Sequence, residues 1–386
     1  MNRFFFFVLL LAVHFASAEP EGRVTILDGG WRESVIGPGA PEAVRGLLGA
    51  SQEIEMNTGV VRYGLRYAAA IDPSLGGEAR PGEGYIGMSK PSSCNWYSGG
   101  FLDPEIDGRS VGRTRIQSFS GHRADSRGYV DYLFDTTQAV VRIRFVASAG
   151  GDVLFAQIGL EPKVDISSLM LNLRNYPSGF VSTAERHIRT PVRDLIQGQS
   201  ADLDVVEENR IFYYDAILDQ GVAHGGQTGV GPCAVLWEPR GIRSAHVSVG
   251  SYAVQTRIRL DPGAREFRLV FMDYAGRGNA DAGRDLDARA AALRQELATM
   301  DFRDPRILRS LPESTWAAGK AQRAGLPEEQ AKDWPLEAWA REWAVLQSRM
   351  KQGQGGIQAE RQALERVEVW TRALIDLHLQ ALLHGI

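Results

Sequence analysis

From about Val24 to Tyr274, apolar residues recur at every second position, and Gly, Pro and Asp mark the turns between runs. Val141, Ile143 and Phe145 alternate with Arg142 and Arg144, the pattern of a strand with one buried and one wet face. Ala149-Gly150-Gly151-Asp152 predicts a turn, and Val153 to Leu160, apolar on both faces, predicts a central partner strand. Leu169, Leu171 and Leu173 alternate with Asn172 and Arg174. Tyr252, Val254, Thr256, Ile258 and Leu260 alternate with Gln255, Arg257 and Arg259. Asp261-Pro262-Gly263 then turns the chain, and Phe267, Leu269 and Phe271 return. Asp107-Gly108 is a two-residue hairpin signal, because both residues reach positive φ at low cost. The stretch from Ser178 to Arg210 is polar and irregular, and reads as a long loop or the host of a short helix.

After Gly276 the period becomes helical. Leu286, Ala290, Leu293, Leu297 and Met300 fall at steps of four and three and form one helical face. Trp339, Trp343, Leu346 and Met350 form a second, with Pro335 in the first turn. Gln352-Gly353-Gln354-Gly355-Gly356 breaks the helix, and Leu364, Val367, Trp370, Leu374, Leu377 and Ala381 make a third face. The last two helices predict an αα-hairpin. Its apolar faces need the β-structure, a second copy or a protein partner to cover them. The fold class expected is mainly β: a large antiparallel β-sandwich over residues 19–276, then a helical region over 277–386.

The N-terminus changes where this protein is expected to work. Arg3 supplies a short positive region, Phe4 to Val13 an apolar run, and Ala16-Ser17-Ala18 a small-residue cleavage site. Residues 1–18 therefore read as a signal peptide, with an uncleaved anchor as the alternative. Export to a bacterial periplasm or to the extracellular space follows. Glu19, not a cysteine, comes directly after the cleavage site, and no later stretch has the roughly 20 apolar residues of a membrane span. Cleavage leaves 368 of the 386 residues, beyond the roughly 250–300 at which single cores stop growing. The formal charge of −4 lacks the basic footprint of a nucleic-acid binder. Cys94 and Cys233, in an exported chain, are either a disulfide or two buried free thiols.

Candidate chemistry is sparse. His224-Gly225-Gly226-Gln227-Thr228-Gly229-Val230-Gly231 is glycine-rich, but a strand rather than a helix follows and lysine is missing, so it is no phosphate loop. No histidines fall at metal-site spacing, no G-x-S-x-G elbow is present, and no cofactor motif occurs. Between Glu185 and His224, carboxylates and histidines lie near aromatic residues, a mixture suited to acid/base work on a sugar. Glu185, His187, Asp215 and His224 are the catalytic candidates, with Tyr214 as a stacking surface. Trp96 and Tyr97, beside Gly99 and Gly100, form either a binding platform or a packed bend.

The overall layout, a long all-β region with histidines and carboxylates on loops, resembles the galactose-mutarotase-like supersandwich over about Val24 to Tyr274. That resemblance implies carbohydrate binding or processing. Members of the group that epimerise aldoses use a histidine acid and a glutamate base, and neither motif can be matched to a position here. Gly231-Pro232-Cys233-Ala234-Val235-Leu236-Trp237-Glu238-Pro239 also resembles uncharacterised exported bacterial proteins, which implies location only. The alternative expectation is an envelope scaffolding protein that docks a partner, or its own copy, through the helical hairpin.

Overall fold

A computed structural model describes residues 22–38, 42–71, 84–180, 185–221, 223–224, 227–309, 311–352 and 356–384. The segment read as a signal peptide lies outside the described residues. The chain is mainly antiparallel β, in two large sheets with helices after the last strand. One sheet has eleven strands. Its main path runs Thr25–Asp28, Leu48–Asn57, Arg62–Ile71, Tyr85–Lys90, Leu102–Ile106, Leu169–Asn175, Val254–Leu260, Ile242–Val249, Ser200–Leu203. Two short strands, Arg32–Val35 and Arg109–Ser110, pair beside it. The other sheet has nine, in the order Asp194–Ile196, Arg186–Arg189, Arg210–Asp215, Cys233–Trp237, Glu266–Asp273, Leu154–Pro162, Ala139–Ser148, Arg127–Asp135, Ile116–Ala124.

The period-two pattern explains the sandwich. Ile54, Leu65, Ile86, Leu171 and Ile258 of the first sheet meet Val141, Ile143, Phe145, Leu269 and Phe271 of the second in one core. Leu154–Pro162 lies between Glu266–Asp273 and Ala139–Ser148, the central position its two apolar faces predict. Asp107 and Gly108 both take positive φ, 49° and 76°, and close the hairpin between Leu102–Ile106 and Arg109–Ser110. Asp261-Pro262-Gly263 differs from expectation. It carries the chain from one sheet to the other rather than closing a hairpin, because Val254–Leu260 and Glu266–Asp273 pair in different sheets. The irregular 178–210 stretch contains three short strands, each three or four residues long, at or next to a sheet edge. Charged, short strands are how edges avoid pairing with other chains, and they carry little alternation to read.

Helix α1 (Asn279–Thr299) covers the outer face of the nine-stranded sheet, setting Leu286, Leu293 and Leu297 on Phe155, Phe212, Leu236 and Val270. Beyond it come α2 (Pro305–Arg309), α3 (Glu313–Ala324), α4 (Glu328–Ala331), α5 (Leu336–Lys351) and α6 (Gly356–Leu383). The periodicity reading captured α1, α5 and α6 and missed the three shorter helices. Leu336, Trp343, Leu346, Trp370, Leu374 and Leu377 form one cluster with Ile307 and Trp316. The faces that the sequence offered to a partner are thus filled within the bundle.

The bundle meets the sandwich through buried charge. Arg144, read as facing water, is 1% exposed. Its Nε and Nη2 donate to Asp131, each at 2.7 Å, and its Nη1 donates to Glu360 at 2.6 Å and to the Phe302 carbonyl at 2.7 Å. Arg142 pairs with the other Glu360 oxygen at 2.6 Å. Burial alone would raise the Asp131 carboxyl, but Arg144 outweighs it and holds it below the usual range.

Candidate functional site

The outward side chains of the eleven-stranded sheet line up across its strands. Ile86 pairs with Leu102, which sets Tyr85 beside Asp103. Asp103 pairs with Asn172, Asn172 with Arg257, Arg257 with His246, and His246 with Asp202. Alternation points each of these away from the core. The row crosses six strands, about 24 Å at roughly 4.8 Å per strand. Arg174 and Gln255, also a cross-strand pair, start the next row. Over this face lies a groove of about 300 Å³, lined by Tyr85, Asp103, Glu105, Ser110, Arg113, Asn172, Arg174, Gln255 and Arg257.

The groove walls depend on two glycines. A Cβ on Gly87 would stand 1.9 Å from the Ser98 carbonyl oxygen, and one on Gly84 would stand 2.1 Å from that of Gly112. Without side chains there, the 98–100 and 112–113 segments press directly against the sheet and raise the groove's sides. A second hollow of about 420 Å³, lined partly by Glu53, Glu55, Arg66 and Lys90, opens on the same face. Arg66 stands over the Tyr85 ring, 6.0 Å from its centroid, and joins the two.

Burial raises the Asp103 carboxyl, the Ser110 hydroxyl that donates to it partly offsets this, and the nearby Glu105 charge adds to it. Arg113, Arg174 and Arg257 are exposed, and none forms an ion pair with a carboxylate among the described residues. An aromatic group stands at the end near Arg174. Tyr176 contacts Tyr97 at 4.8 Å, Phe180 at 4.9 Å and Tyr252 at 5.0 Å between ring centroids.

The structure distributes the sequence candidates differently. Glu185, His187 and Tyr214 come together: His187 Nε2 is 3.0 Å from Glu185 Oε1, and Tyr214 Oη is 3.3 Å from His187 Nδ1. They lie on the outer face of the nine-stranded sheet, the opposite side of the molecule's sandwich from the groove. Asp215 points the other way and is fully buried. Its Oδ1 accepts from the Ile217 and Leu218 amides at 2.9 and 2.7 Å, so it holds a turn. The strand Ala223–His224 pairs with Gln227–Thr228, and the His224 side chain lies outside the described residues. Trp96 is no binding platform. It is fully buried against Phe101, Tyr213 and Phe271, and its indole N–H donates to the Met272 carbonyl at 3.1 Å. Tyr97 belongs to the aromatic group described above.

Cys94 and Cys233 are buried free thiols, not a disulfide. Burial pushes both upward, away from the reactive thiolate form. Each is held by the polar group at the end of Glu266–Asp273: Cys94 Sγ donates to Ser92 Oγ, and Cys233 Sγ to the Asn95 carbonyl, both at 3.7 Å. Burial also pushes Asp273 up to about 6, against hydrogen bonds from Asn95, Ala275 and Ser92. A carboxyl raised on folding favours the native state below its unfolded value, near 4, and that contribution is lost as pH climbs through 6. The unfolding free energy should therefore drop between pH 4 and 7 by about 1–3 kcal/mol from this group, and Asp273→Asn should flatten that slope in denaturant titrations. An unchanged slope in the variant would remove Asp273 as its origin.

No groove residue was singled out by the sequence reading, although Asn172, Arg174, Gln255 and Arg257 stood in the recognised alternation. The usable signal was chemical: the wet sides of two strands carry long hydrogen-bonding side chains in register. Among the described residues, no three His, Cys, Asp or Glu side chains are placed to hold a metal ion, and no helix is long and apolar enough to cross a membrane.

No family model matches the chain, and no curated protein matches it. Solved structures do. A candidate aldose 1-epimerase from Klebsiella pneumoniae is 10% identical with a TM-score of 0.36, covering 72% of this chain and 91% of its own. An α-N-acetylgalactosaminidase from Bifidobacterium bifidum, in its GalNAc complex, is 7% identical with a TM-score of 0.38, covering 76% of this chain and 41% of its own. An α-galactosidase from Lactobacillus brevis is 10% identical with a TM-score of 0.32, covering 58% and 40%. The neighbours are carbohydrate-processing enzymes, and this chain spans about two fifths of each of the last two.

Proposed function

We propose that this chain is an exported protein that binds a carbohydrate in the groove across its eleven-stranded sheet. The observation that carries this reading is the row Tyr85–Asp103–Asn172–Arg257, flanked by Glu105, Arg174 and Gln255. A saccharide presents hydroxyls that both donate and accept, and apolar C–H faces. Asp103 and Glu105 accept from hydroxyls, the arginines donate, Asn172 and Gln255 do both, and Tyr85 offers a ring face. Export is supported by the apolar run and the Ala16-Ser17-Ala18 site.

The test is titration calorimetry of the chain from Glu19 onward against neutral and acidic oligosaccharides. Saturable binding is expected, and Asp103→Ala combined with Asn172→Ala should weaken it at least about 10-fold, since each removes about 1 kcal/mol of hydrogen bonding. Saturable binding that the double variant leaves intact would move the site elsewhere. Absence of binding to every oligosaccharide would end the carbohydrate reading.

A further inference from the structure

Resting on that reading, we infer that the groove selects an acidic saccharide, one whose sugar units carry a carboxylate, with Arg113, Arg174 and Arg257 as the groups that recognise it. The three line one groove, none within ion-pair distance of a carboxylate among the described residues, with Asp103 in longer electrostatic reach of Arg113 and Arg174. Other arginines, among them Arg115, Arg123 and Arg259, also stand outside ion pairs among the described residues, so what sets these three apart is that they converge on one groove. In a chain with more acids than bases, three guanidinium groups gathered around a single groove that holds two carboxylates mark where an anion is received. Guanidinium also matches a carboxylate in its plane, with two parallel hydrogen bonds.

The rest of the lining narrows the anion. Asp103 and Glu105 stand among the arginines and would repel a densely charged ligand such as a sulfated chain. A uronate suits both sets. Its hydroxyls donate to Asp103 and Glu105 while its single carboxylate reaches Arg174 or Arg257. Those two lie on neighbouring strands, with Asn172 directly opposite Arg257 and Gln255 opposite Arg174. A carboxylate set between the two arginines therefore has side-chain amides within the same rows for the hydroxyls beside it.

The experiment compares matched ligands on the whole chain from Glu19. Oligogalacturonate, oligomannuronate and hyaluronan oligomers are each titrated beside their carboxyl-reduced counterparts, which differ only in the charged group. A heparin-type sulfated oligomer is the fourth probe. At least one acid form is expected to bind at least about 10-fold more tightly than its reduced partner, with an advantage that shrinks as salt rises. Arg174→Gln with Arg257→Gln should bring that pair close to parity. The same variant should keep the parent's circular-dichroism spectrum and still bind the reduced oligomer saturably, a readout that loss of fold would not produce. Equal or tighter binding of every reduced form would overturn the acidic preference and leave the carbohydrate reading standing. Tighter binding of the sulfated oligomer would overturn it in favour of a general polyanion surface. Binding of no oligomer would remove both inferences.

Discussion

Arg144→Leu should destabilise the protein by about 3–5 kcal/mol, among the largest effects of any single substitution in this fold. The side chain is short of solvent on every side, and its guanidinium closes three contacts at once, to Asp131, Glu360 and the Phe302 carbonyl. Leucine leaves the mostly buried Asp131 without its close counter-ion and leaves Glu360 with Arg142 alone. The loss comes mainly from these stranded acids rather than from the net value of the pairs. Urea denaturation followed by circular dichroism measures it. The triple replacement Arg144→Leu, Asp131→Leu, Glu360→Leu should recover much of the stability, because it removes the buried charge along with its partners. A single variant within about 1 kcal/mol of the parent would show that water reaches these groups.

Trp96→Ala should cost a similar amount, about 3–5 kcal/mol, through the cavity left between the sheets. The ring meets Phe271 edge-on at 4.9 Å and Tyr213 at 5.8 Å, in the middle of the core that joins the two sheets. Trp96→Phe should be milder, its cost being lost volume and the lost hydrogen bond to the Met272 carbonyl. This pair of variants separates packing from recognition. If Trp96 contacted ligand, Trp96→Phe would abolish saccharide binding in a stable protein. With the ring buried, binding to the folded fraction should be unchanged.

Much of the sandwich was legible because a strand with one buried face writes its geometry into the sequence at period two. Val141, Ile143 and Phe145 do face the core. The same rule misplaced Arg144. Alternation reports only that a side chain points away from one core, not whether water or a helix waits on the other side. That helix, α6, lies more than two hundred residues later in the chain. The candidate residues came together only in part, for a related reason. Glu185, His187 and Tyr214 are near one another in sequence and do meet, but Asp215 leaves through the opposite face of the same strand. The groove draws Tyr85, Asp103, Asn172 and Arg257 from four strands spread over about 170 residues, and sheet order, not local pattern, brings them into one row.

Sheet order also bears on how the molecule is made. Glu266–Asp273 is the last strand in the chain, yet it sits in the middle of the nine-stranded sheet, between Cys233–Trp237 and Leu154–Pro162. Strands on either side of it have no neighbour to join them until it arrives. During synthesis from the N-terminus, the sheet therefore exists as two separate halves with bare inner edges. Non-local closure of this kind is slow. The apolar outer face that α1 will cover waits still longer, since α1 follows the closing strand. A chain stopped anywhere before Asp273 would expose two open edges and a greasy surface together, and would be an aggregation hazard and a target for proteolysis rather than a smaller working protein.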